Sequence, residues 1–143
     1  MSFSIITTVL NNEEHILSCL KSLKNQNFKK KNIEHIIIDG GSTDNTVKII
    51  KNFQKNYKYL KLFTKKKSSI YQAINFGIKK ANNHFIGLLH SDDYFRDKNA
   101  LKFINKVFKN NKKVDAVYSN ITFVDRNNEN IIKRIYNLSL IHI

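Results

Sequence analysis

Residues 36–44 read Ile-Ile-Ile-Asp-Gly-Gly-Ser-Thr-Asp, and residues 86–93 read Ile-Gly-Leu-Leu-His-Ser-Asp-Asp. Both stretches are short apolar runs that end abruptly in carboxylates, and a helical pattern follows each of them. A continuous apolar run of this length is typical of a parallel strand that is buried on both faces. Ligands of open parallel sheets bind beyond the carboxyl ends of the strands. The two stretches therefore predict a parallel sheet with Asp39, Asp92 and Asp93 gathered along one rim.

Strands and helices alternate along most of the chain. The predicted strands are 3–9, 33–38, 59–63 and 84–89, and the predicted helices are 13–25, the segment that follows Asp44, 70–81 and 97–110. We expect strands 33–38 and 84–89 to be buried. Strand-like runs follow at 114–118, 121–124 and 131–136, and the turn 126–130 predicts a hairpin. This order predicts an α/β fold with a mostly parallel sheet, flanking helices and a C-terminal β-hairpin.

The composition predicts a soluble globular protein that forms a single domain over residues 1–143. Hydrophobic residues make up 41% and charged residues 25% of the chain, which is normal for that class. No apolar run approaches the roughly 20 residues that a membrane-spanning helix needs, and no secretory signal precedes the first predicted strand. The single cysteine, Cys19, excludes an internal disulfide bond. We therefore expect a cytoplasmic protein.

The net charge of +14 comes almost entirely from lysines spread over every predicted helix. The only arginines are Arg96, Arg126 and Arg134, although base readout and bidentate phosphate binding favour arginine. We therefore expect no nucleic acid among the partners. Two interpretations of the lysines stay open: a solvated face, and peripheral attraction to anionic lipid or glycolipid at the inner face of the cell membrane.

Asp92 and Asp93 have two interpretations. An Asp-Asp pair in a loop is commonly solvated or caps a helix. Here the pair ends a predicted buried strand, where two like charges are costly unless a cation or ligand compensates them. Carboxylate oxygens suit Mg²⁺ or Mn²⁺ bridged to substrate phosphates. The pair is therefore the first candidate for a metal site, and His90 either borders that metal or packs at the strand end.

Asp39 also has two interpretations. As a structural residue it would accept hydrogen bonds from the amides of Gly41 or Ser42 in an Asx-type turn. As a binding residue it would accept hydrogen bonds from a base or a ribose. Gly40 and Gly41 permit positive φ and close backbone approach, which serves either interpretation. We favour binding because the other acids are expected at the same edge.

Polar residues also occur near the other predicted strand ends. Thr7 and Thr8 end the first strand, where their hydroxyls can meet a ligand, although both are ordinary strand residues. Asn75 and Gly77 lie on the predicted helix that precedes the acid-bearing strand. A glycine in a helix costs stability, and close packing is the simple explanation of Gly77.

Four segments occur in a recognisable order: Ser-Ile-Ile-Thr-Thr-Val-Leu-Asn-Asn-Glu (4–13), Ile-Ile-Ile-Asp-Gly-Gly-Ser-Thr-Asp-Asn-Thr (36–46), Ser-Ile-Tyr-Gln-Ala-Ile-Asn-Phe-Gly-Ile (69–78) and Leu-Leu-His-Ser-Asp-Asp (88–93). Together they resemble the family 2 inverting glycosyltransferases with a GT-A fold. The resemblance covers essentially residues 3–136, in family order. It is strongest to bacterial enzymes that assemble capsule, O-antigen or exopolysaccharide.

The resemblance implies a nucleotide-sugar site at the edge of the sheet. Thr7 would begin the nucleotide-binding edge. Asp39 would bond a uracil-type base, and Gly40, Gly41 and Ser42 would shape its loop. The implied donor is a nucleotide-diphospho-sugar, most simply a UDP-sugar.

The resemblance also implies a divalent cation, Mg²⁺ or Mn²⁺. Asp92 and Asp93 match the family's DXD-like acid pair, of which the first would face ribose or metal and the second would ligate the cation on the diphosphate. Asn75 matches an asparagine of the donor half. A glycan or lipid-linked acceptor hydroxyl would attack the anomeric carbon of the sugar, in cell-surface polysaccharide synthesis.

The chain departs from the family pattern at several positions. Leu10 replaces the aromatic residue that usually stacks on the base, and Gln72 replaces an aspartate. Such domains usually continue beyond this length with an acceptor part and a carboxylate base, and we expect that part to be missing here, so the catalytic residue is unknown. The alternatives are a truncated, catalytically inactive nucleotide-sugar-binding module and a lysine-rich binder of nucleic acid or membrane.

Overall fold

The computed structural model describes residues 1–125, 128 and 130–136. The chain forms two compact units, Met1–Asn105 and the part that begins at Lys106. A single domain over residues 1–143 stays a prediction.

A four-stranded parallel sheet forms the centre of the first unit. Its strands are β1 (Phe3–Val9), β2 (Ile33–Asp39), β3 (Leu60–Thr64) and β4 (Phe85–Leu88). They lie in the order β3-β2-β1-β4, and each neighbouring pair is parallel. Val9 lies opposite Asp39, and Ile6 lies opposite Leu88. The carboxyl ends of β2 and β4 therefore flank that of β1, which confirms the predicted parallel sheet.

Helices follow the strands and cover both faces of the sheet. They are α1 (Ile16–Lys24), α2 (Thr46–Gln54), α3 (Ile70–Lys80) and α4 (Ala100–Asn110), with a 3₁₀ turn at Lys30–Asn32. On one face, Leu20 of α1 and Ile50 of α2 pack with Ile37. On the other face, Ala73 of α3 packs with Ile36 and Ile38. Every residue of β2 is buried, which explains the apolar run at 36–38.

Two of the predicted strands need correction. Residues 114–118 have no regular secondary structure, because a local β pattern forms a strand only where a neighbouring strand takes its backbone hydrogen bonds. Strand 84–89 forms as β4, but it is not buried: Ile86 is 43% and Leu88 is 54% exposed. The reason is that β4 ends the sheet and that α3 packs over β1 and β2.

The second unit contains the predicted hairpin. Its antiparallel strands are β5 (Ile121–Val124) and β6 (Ile132–Tyr136), with an irregularity between Phe123 and Val124. The rings of Phe123 and Tyr136 meet edge to face at 5.5 Å, and Lys133 pairs with Asp125 at 2.7 Å. Residues 126, 127 and 129 of the predicted turn lie outside the described residues.

Within the described part of the chain, no helix has both the length and the apolar character that a membrane span requires.

Candidate functional site

A cleft of about 270 Å³ opens at the carboxyl edge of the sheet. Its wall comes from the ends of β1, β2 and β4 and from the start of α3. The lining residues are Thr8, Val9, Leu10, Ile38, Gly40, Ser68, Ser69, Ile70, Ala73, His90, Ser91 and Asp92. The cleft therefore lies where ligands of parallel sheets bind.

Asp39 closes a tight turn at the end of β2. It is buried, and its carboxylate accepts hydrogen bonds from the backbone N–H of Gly41 at 3.0 Å and of Ser42 at 3.1 Å. Gly41 has a φ of +101°, a conformation that favours glycine. The structural interpretation of Asp39 is therefore confirmed, and Gly40 lines the cleft. Contact of Asp39 with a base stays a prediction.

The loop after β1 is tied to the loop after β2. The backbone N–H of Asn11 donates to Ser42 Oγ at 2.9 Å, and Asn11 Oδ1 accepts from the N–H of Thr43 at 2.8 Å. The Asp44 carboxylate accepts from the N–H of Thr46 at 3.0 Å, and this hydrogen bond stabilises the start of α2. The Ser42 hydroxyl thus already serves a structural contact, and the loop it belongs to is fixed in place.

Asn12 joins three loops at the same edge. Its backbone N–H donates to Thr46 Oγ1 at 2.8 Å, and its side-chain amide donates to Ser91 Oγ at 2.9 Å. Thr46 and Ser91 are both buried. Asn12 therefore ties the loop that carries the acid pair to the loop after β1 and to the start of α2, so that the site is organised without a ligand.

Asp92 and Asp93 follow β4 in a turn in which the N–H of Asp93 donates to the His90 carbonyl at 3.0 Å. Asp92 lines the cleft, and Asp93 lies beside it without forming part of its wall. Partial desolvation raises the pKa of the Asp93 carboxyl, the neighbouring Asp92 carboxylate raises it further, and His90 offsets part of the rise. An approaching cation would relieve this unfavourable concentration of negative charge.

The residues at this edge suit a cation that is shared with a ligand. Among the residues that the structure describes, no group of three or more His, Cys, Asp or Glu side chains could hold a metal ion. Magnesium needs only one or two protein carboxylates when phosphate oxygens and water complete its coordination. Asp92 and Asp93 fit that second arrangement.

Of the predicted site residues, Gly40 and Asp92 line the cleft, and the others do not: Thr7, Asp39, Gly41, Ser42, Asn75 and Asp93. Thr7 is fully buried, and its hydroxyl donates to the Leu89 carbonyl at 2.7 Å. Thr8, the next residue of β1, lines the cleft. Asn75 is exposed on α3 and is absent from the wall. Contact of Thr7 or Asn75 with a ligand therefore stays a prediction.

Ser68 and Ser69 line the cleft without having been predicted as site residues. Ser69 Oγ accepts the N–H of Gln72 at 3.3 Å, and Gln72 Oε1 accepts the N–H of Ser69 at 3.0 Å. This reciprocal pair is a capping box, for which the Ser-x-x-Gln spacing is the sequence signal. That spacing marks the start of α3, which follows β3 and lies at the cleft.

The family follows from comparison with known proteins. Residues 4–141 match the family described as Glycosyl transferase family 2. The chain belongs to glycosyl transferase family 2. Among its relatives, the Methanococcus voltae dolichyl N-acetyl-alpha-D-glucosaminyl phosphate 3-beta-D-2,3-diacetamido-2,3-dideoxy-beta-D-glucuronosyltransferase is 34% identical over 96% of this chain and 44% of that protein.

Solved structures of transferases confirm the GT-A fold of this family 2 chain. Staphylococcus aureus TarS, in complex with UDP-GlcNAc, is 30% identical and superposes with a TM-score of 0.71 over 77% of this chain and 32% of that one. A Pyrobaculum calidifontis mannosyltransferase, in complex with GDP-Man and Mn²⁺, has a TM-score of 0.71 and 17% identity over 87% of this chain and 35% of that one. The second likeness is one of fold alone. This family 2 chain spans less than half the length of these relatives.

Proposed function

We propose that this chain binds a nucleotide-diphospho-sugar and acts in a glycosyltransferase that transfers the sugar to a glycan or lipid-linked acceptor of cell-surface polysaccharide. The observation that carries the proposal is the geometry of one edge. The Asp39 turn and the Asp92 loop flank β1 at the same ends of parallel strands. Both loops contribute to one cleft.

The proposed donor is a UDP-sugar. Within the turn of Asp39, Gly40, Gly41 and Ser42, Gly40 lines the cleft. The hydrogen bonds from the amides of Gly41 and Ser42 to Asp39 fix this turn, which suits recognition of a flat base and ribose. The 30% identity to TarS in complex with UDP-GlcNAc supports this choice. The identity of the transferred sugar depends on residues that face it in the cleft, of which Ser68 and His90 are candidates.

The proposed cofactor is Mg²⁺ or Mn²⁺, held by Asp93 and bordered by Asp92. A divalent cation bound there would supply positive charge to offset the charge on a departing diphosphate. The chain itself contributes the two carboxylates, and desolvation and the charge of Asp92 raise the pKa of Asp93. It also contributes the hydrogen bond from Asn12 to Ser91, which fixes the loop that carries both acids. The DXD-like role of the pair is part of this proposal.

Transfer also requires a base for the acceptor hydroxyl, and the catalytic residue stays unknown. The alternative function is therefore a nucleotide-sugar-binding module without transfer activity. Incubation with a radiolabelled UDP-sugar separates the two functions, because transfer or hydrolysis releases UDP whereas a binding module leaves the donor intact.

A cytoplasmic location at the inner membrane face also stays a prediction, for which the net charge of +14 is the physical motive.

The binding proposal is tested by calorimetric titration of UDP, with Mn²⁺ present or chelated. We expect Asp93→Asn to weaken Mn²⁺-dependent UDP binding at least about tenfold, equivalent to about 1.4 kcal/mol, with little change in melting temperature. Asp115→Asn is the matched control, because it removes the same charge from an exposed aspartate outside the cleft. Undiminished Mn²⁺-dependent affinity in the Asp93 variant would refute the cation site.

The remaining alternative function is that of a lysine-rich protein that binds nucleic acid. Phosphate contacts made by lysines weaken steeply with salt. Tight binding of duplex DNA at physiological salt, in a protein that does not bind UDP, would replace the present proposal.

A further inference from the structure

Three polar side chains lie fully buried beneath the carboxyl edge of the sheet. They are Thr7 of β1, His35 of β2 and Cys19 of α1. None of them lines the cleft. Burying a hydroxyl and an imidazole among apolar residues costs free energy unless hydrogen bonds replace those made to water. The hydrogen bonds that these groups make therefore indicate what their presence achieves.

The direction of each hydrogen bond follows from the available protons. Thr7 Oγ1 lies 2.7 Å from the Leu89 carbonyl oxygen and 2.9 Å from His35 Nε2. A carbonyl only accepts, so the single hydroxyl proton of Thr7 points to Leu89. His35 Nε2 must then carry a proton and donate it to Thr7 Oγ1. The result is a directed chain from His35 through Thr7 to Leu89.

His35 is suited to this task because it stays neutral. Burial lowers the pKa of its imidazole to about 3, so that the neutral form with the proton on Nε2 persists at ordinary pH. Its Nδ1 atom has no hydrogen-bond partner among the described residues. A buried acceptor left unpaired is destabilising, so the stability of the core alone is a poor reason for a histidine here.

The chain of hydrogen bonds ends at the residue from which the acid-bearing loop departs. Leu89 lies just beyond the last residue of β4, and its N–H donates to the Ile6 carbonyl at 3.0 Å. The hydroxyl of Thr7 donates to the carbonyl oxygen of the same residue. Both peptide groups of Leu89 are thus fixed to β1, and His90, Ser91, Asp92 and Asp93 follow directly.

We infer that Thr7, oriented by His35, is a positioning residue that sets the direction of the Leu89 carbonyl and thereby places Asp92 and Asp93 for a divalent cation and a diphosphate. The inference rests on the proposed function. It gives Thr7 a role in nucleotide binding without contact between its hydroxyl and the ligand. Removal of a group that orients a metal ligand by a hydrogen bond, without itself contacting the metal, commonly lowers metal affinity about 10- to 100-fold.

The test compares Thr7→Val, which keeps the shape but removes the hydroxyl, with Thr7→Ser, which keeps the hydroxyl. UDP affinity is measured against Mn²⁺ concentration, and each melting temperature is recorded. We expect Thr7→Val to raise the Mn²⁺ concentration for half-maximal effect about tenfold, and Thr7→Ser to restore most of the loss. Equal Mn²⁺ dependence in Thr7→Val and the unmodified chain would overturn the inference, whatever the change in melting temperature.

Ser4→Ala separates positioning from simple loss of a buried hydroxyl. Ser4 is fully buried on the same strand, at its amino end, where its hydroxyl donates to Glu34 at 2.6 Å. We expect this variant to lower the melting temperature and to leave the Mn²⁺ dependence of UDP binding unchanged. An effect on Mn²⁺ dependence equal to that of Thr7→Val would show that any buried hydroxyl matters, and it would overturn the inference.

A second pair of variants covers the case in which Thr7→Val does not fold. His35→Phe keeps a ring but removes the donor to Thr7, whereas His35→Gln carries an amide nitrogen near the former Nε2. We expect the Phe variant to need more Mn²⁺ and the Gln variant to resemble the unmodified chain, and identical behaviour of the two would refute the role of His35. Absence of Mn²⁺-dependent UDP binding in the unmodified chain would instead refute the proposed function itself.

Discussion

Gly77 of α3 lies directly against Ile6 of β1. A Cβ atom added to Gly77 would lie 2.7 Å from Ile6 Cγ2, a distance that carbon atoms do not tolerate. The glycine therefore lets the helix approach the sheet, and the expected close packing is confirmed. Ile6 is buried, and its Cγ2 atom branches from Cβ, so the contact cannot relax by rotation at the end of a side chain.

We expect Gly77→Ala to lower the free energy of unfolding. Alanine gains about 1 kcal/mol of helix propensity over glycine, but overpacking of a filled core costs about 1 to 3 kcal/mol. Because Ile6 cannot withdraw, the packing cost should exceed the gain. Urea denaturation of the variant measures the difference.

Gly87→Ala is the matched control. A Cβ atom at Gly87 would also lie 2.7 Å from its neighbour, but that neighbour is Ile5 Cδ1, the far end of a flexible side chain. We expect a smaller loss of stability than in Gly77→Ala. Equal losses would show that the distance of the contact, and not the rigidity of the group contacted, decides the cost.

The sequence predicted the buried half of the fold well, because burial leaves a local signal. The strand 3–9 was predicted with the bounds that β1 has, and the apolar run 36–38 within β2 reflects helices on both of its faces. Residues 114–118 carry a similar local pattern without forming a strand. Strand formation there depends on a pairing partner, which local sequence does not encode.

The site was predicted less completely, because its contacts join residues that are distant in sequence. The Asp39 turn and the acid pair could be found from motifs at strand ends. The partners of Thr7 could not, since His35 is 28 and Leu89 is 82 residues away. A histidine inside an apolar strand carries no spacing that distinguishes a core residue from a positioning one.

His35 should make stability depend on pH. Its pKa is about 3 in the folded protein and about 6.5 in an unfolded chain. Between these values the unfolded state binds a proton that the folded state does not, so the free energy of unfolding rises with pH. The free energy of unfolding therefore reaches its full value above about pH 6.5, where His35 is neutral in both states, and it declines as the pH falls towards 3.

Denaturation at pH 7 and at pH 5 tests this dependence, because aspartates and glutamates of ordinary pKa stay largely ionised in that interval. We expect His35→Gln to lose less stability between the two values than the unmodified chain. An unchanged difference between the two pH values in the variant would show that other groups account for it.

Gly41 should be essential to the turn that holds Asp39. Its φ of +101° is strained for any residue with a side chain, and a Cβ atom would also meet Lys66 Cγ at 3.0 Å. We expect Gly41→Ala to lower the free energy of unfolding by about 1 to 3 kcal/mol and to weaken UDP binding, since the amide of Gly41 orients the carboxylate. Thermal denaturation and UDP titration measure the two effects.

Gly40→Ala provides the comparison for stability. A Cβ atom there would lie 3.4 Å from Leu10 Cδ1, an ordinary contact, and Gly40 does not have a positive φ. We expect its loss of stability to be clearly smaller than that of Gly41→Ala. If the two variants were equally unstable, backbone conformation would not be the reason for the glycine at position 41.

Leu10 should limit how tightly the cleft binds a nucleotide base. It lines the cleft at the end of β1 and is 60% exposed, so a ligand meets an aliphatic side chain where the family pattern has an aromatic one. Stacking of a base on an aromatic ring contributes about 1 to 3 kcal/mol. We expect Leu10→Tyr to tighten UDP binding about tenfold, or about 1.4 kcal/mol, as measured by calorimetric titration.

Two comparisons decide whether stacking is the cause. Leu10→Ala removes apolar surface from the same place and should weaken UDP binding, because it exposes less carbon to the base. Inorganic diphosphate has no base, so its affinity should be the same for Leu10→Tyr and the unmodified chain. Tighter binding of diphosphate by the Tyr variant would place the benefit at the phosphates and would contradict a base platform at position 10.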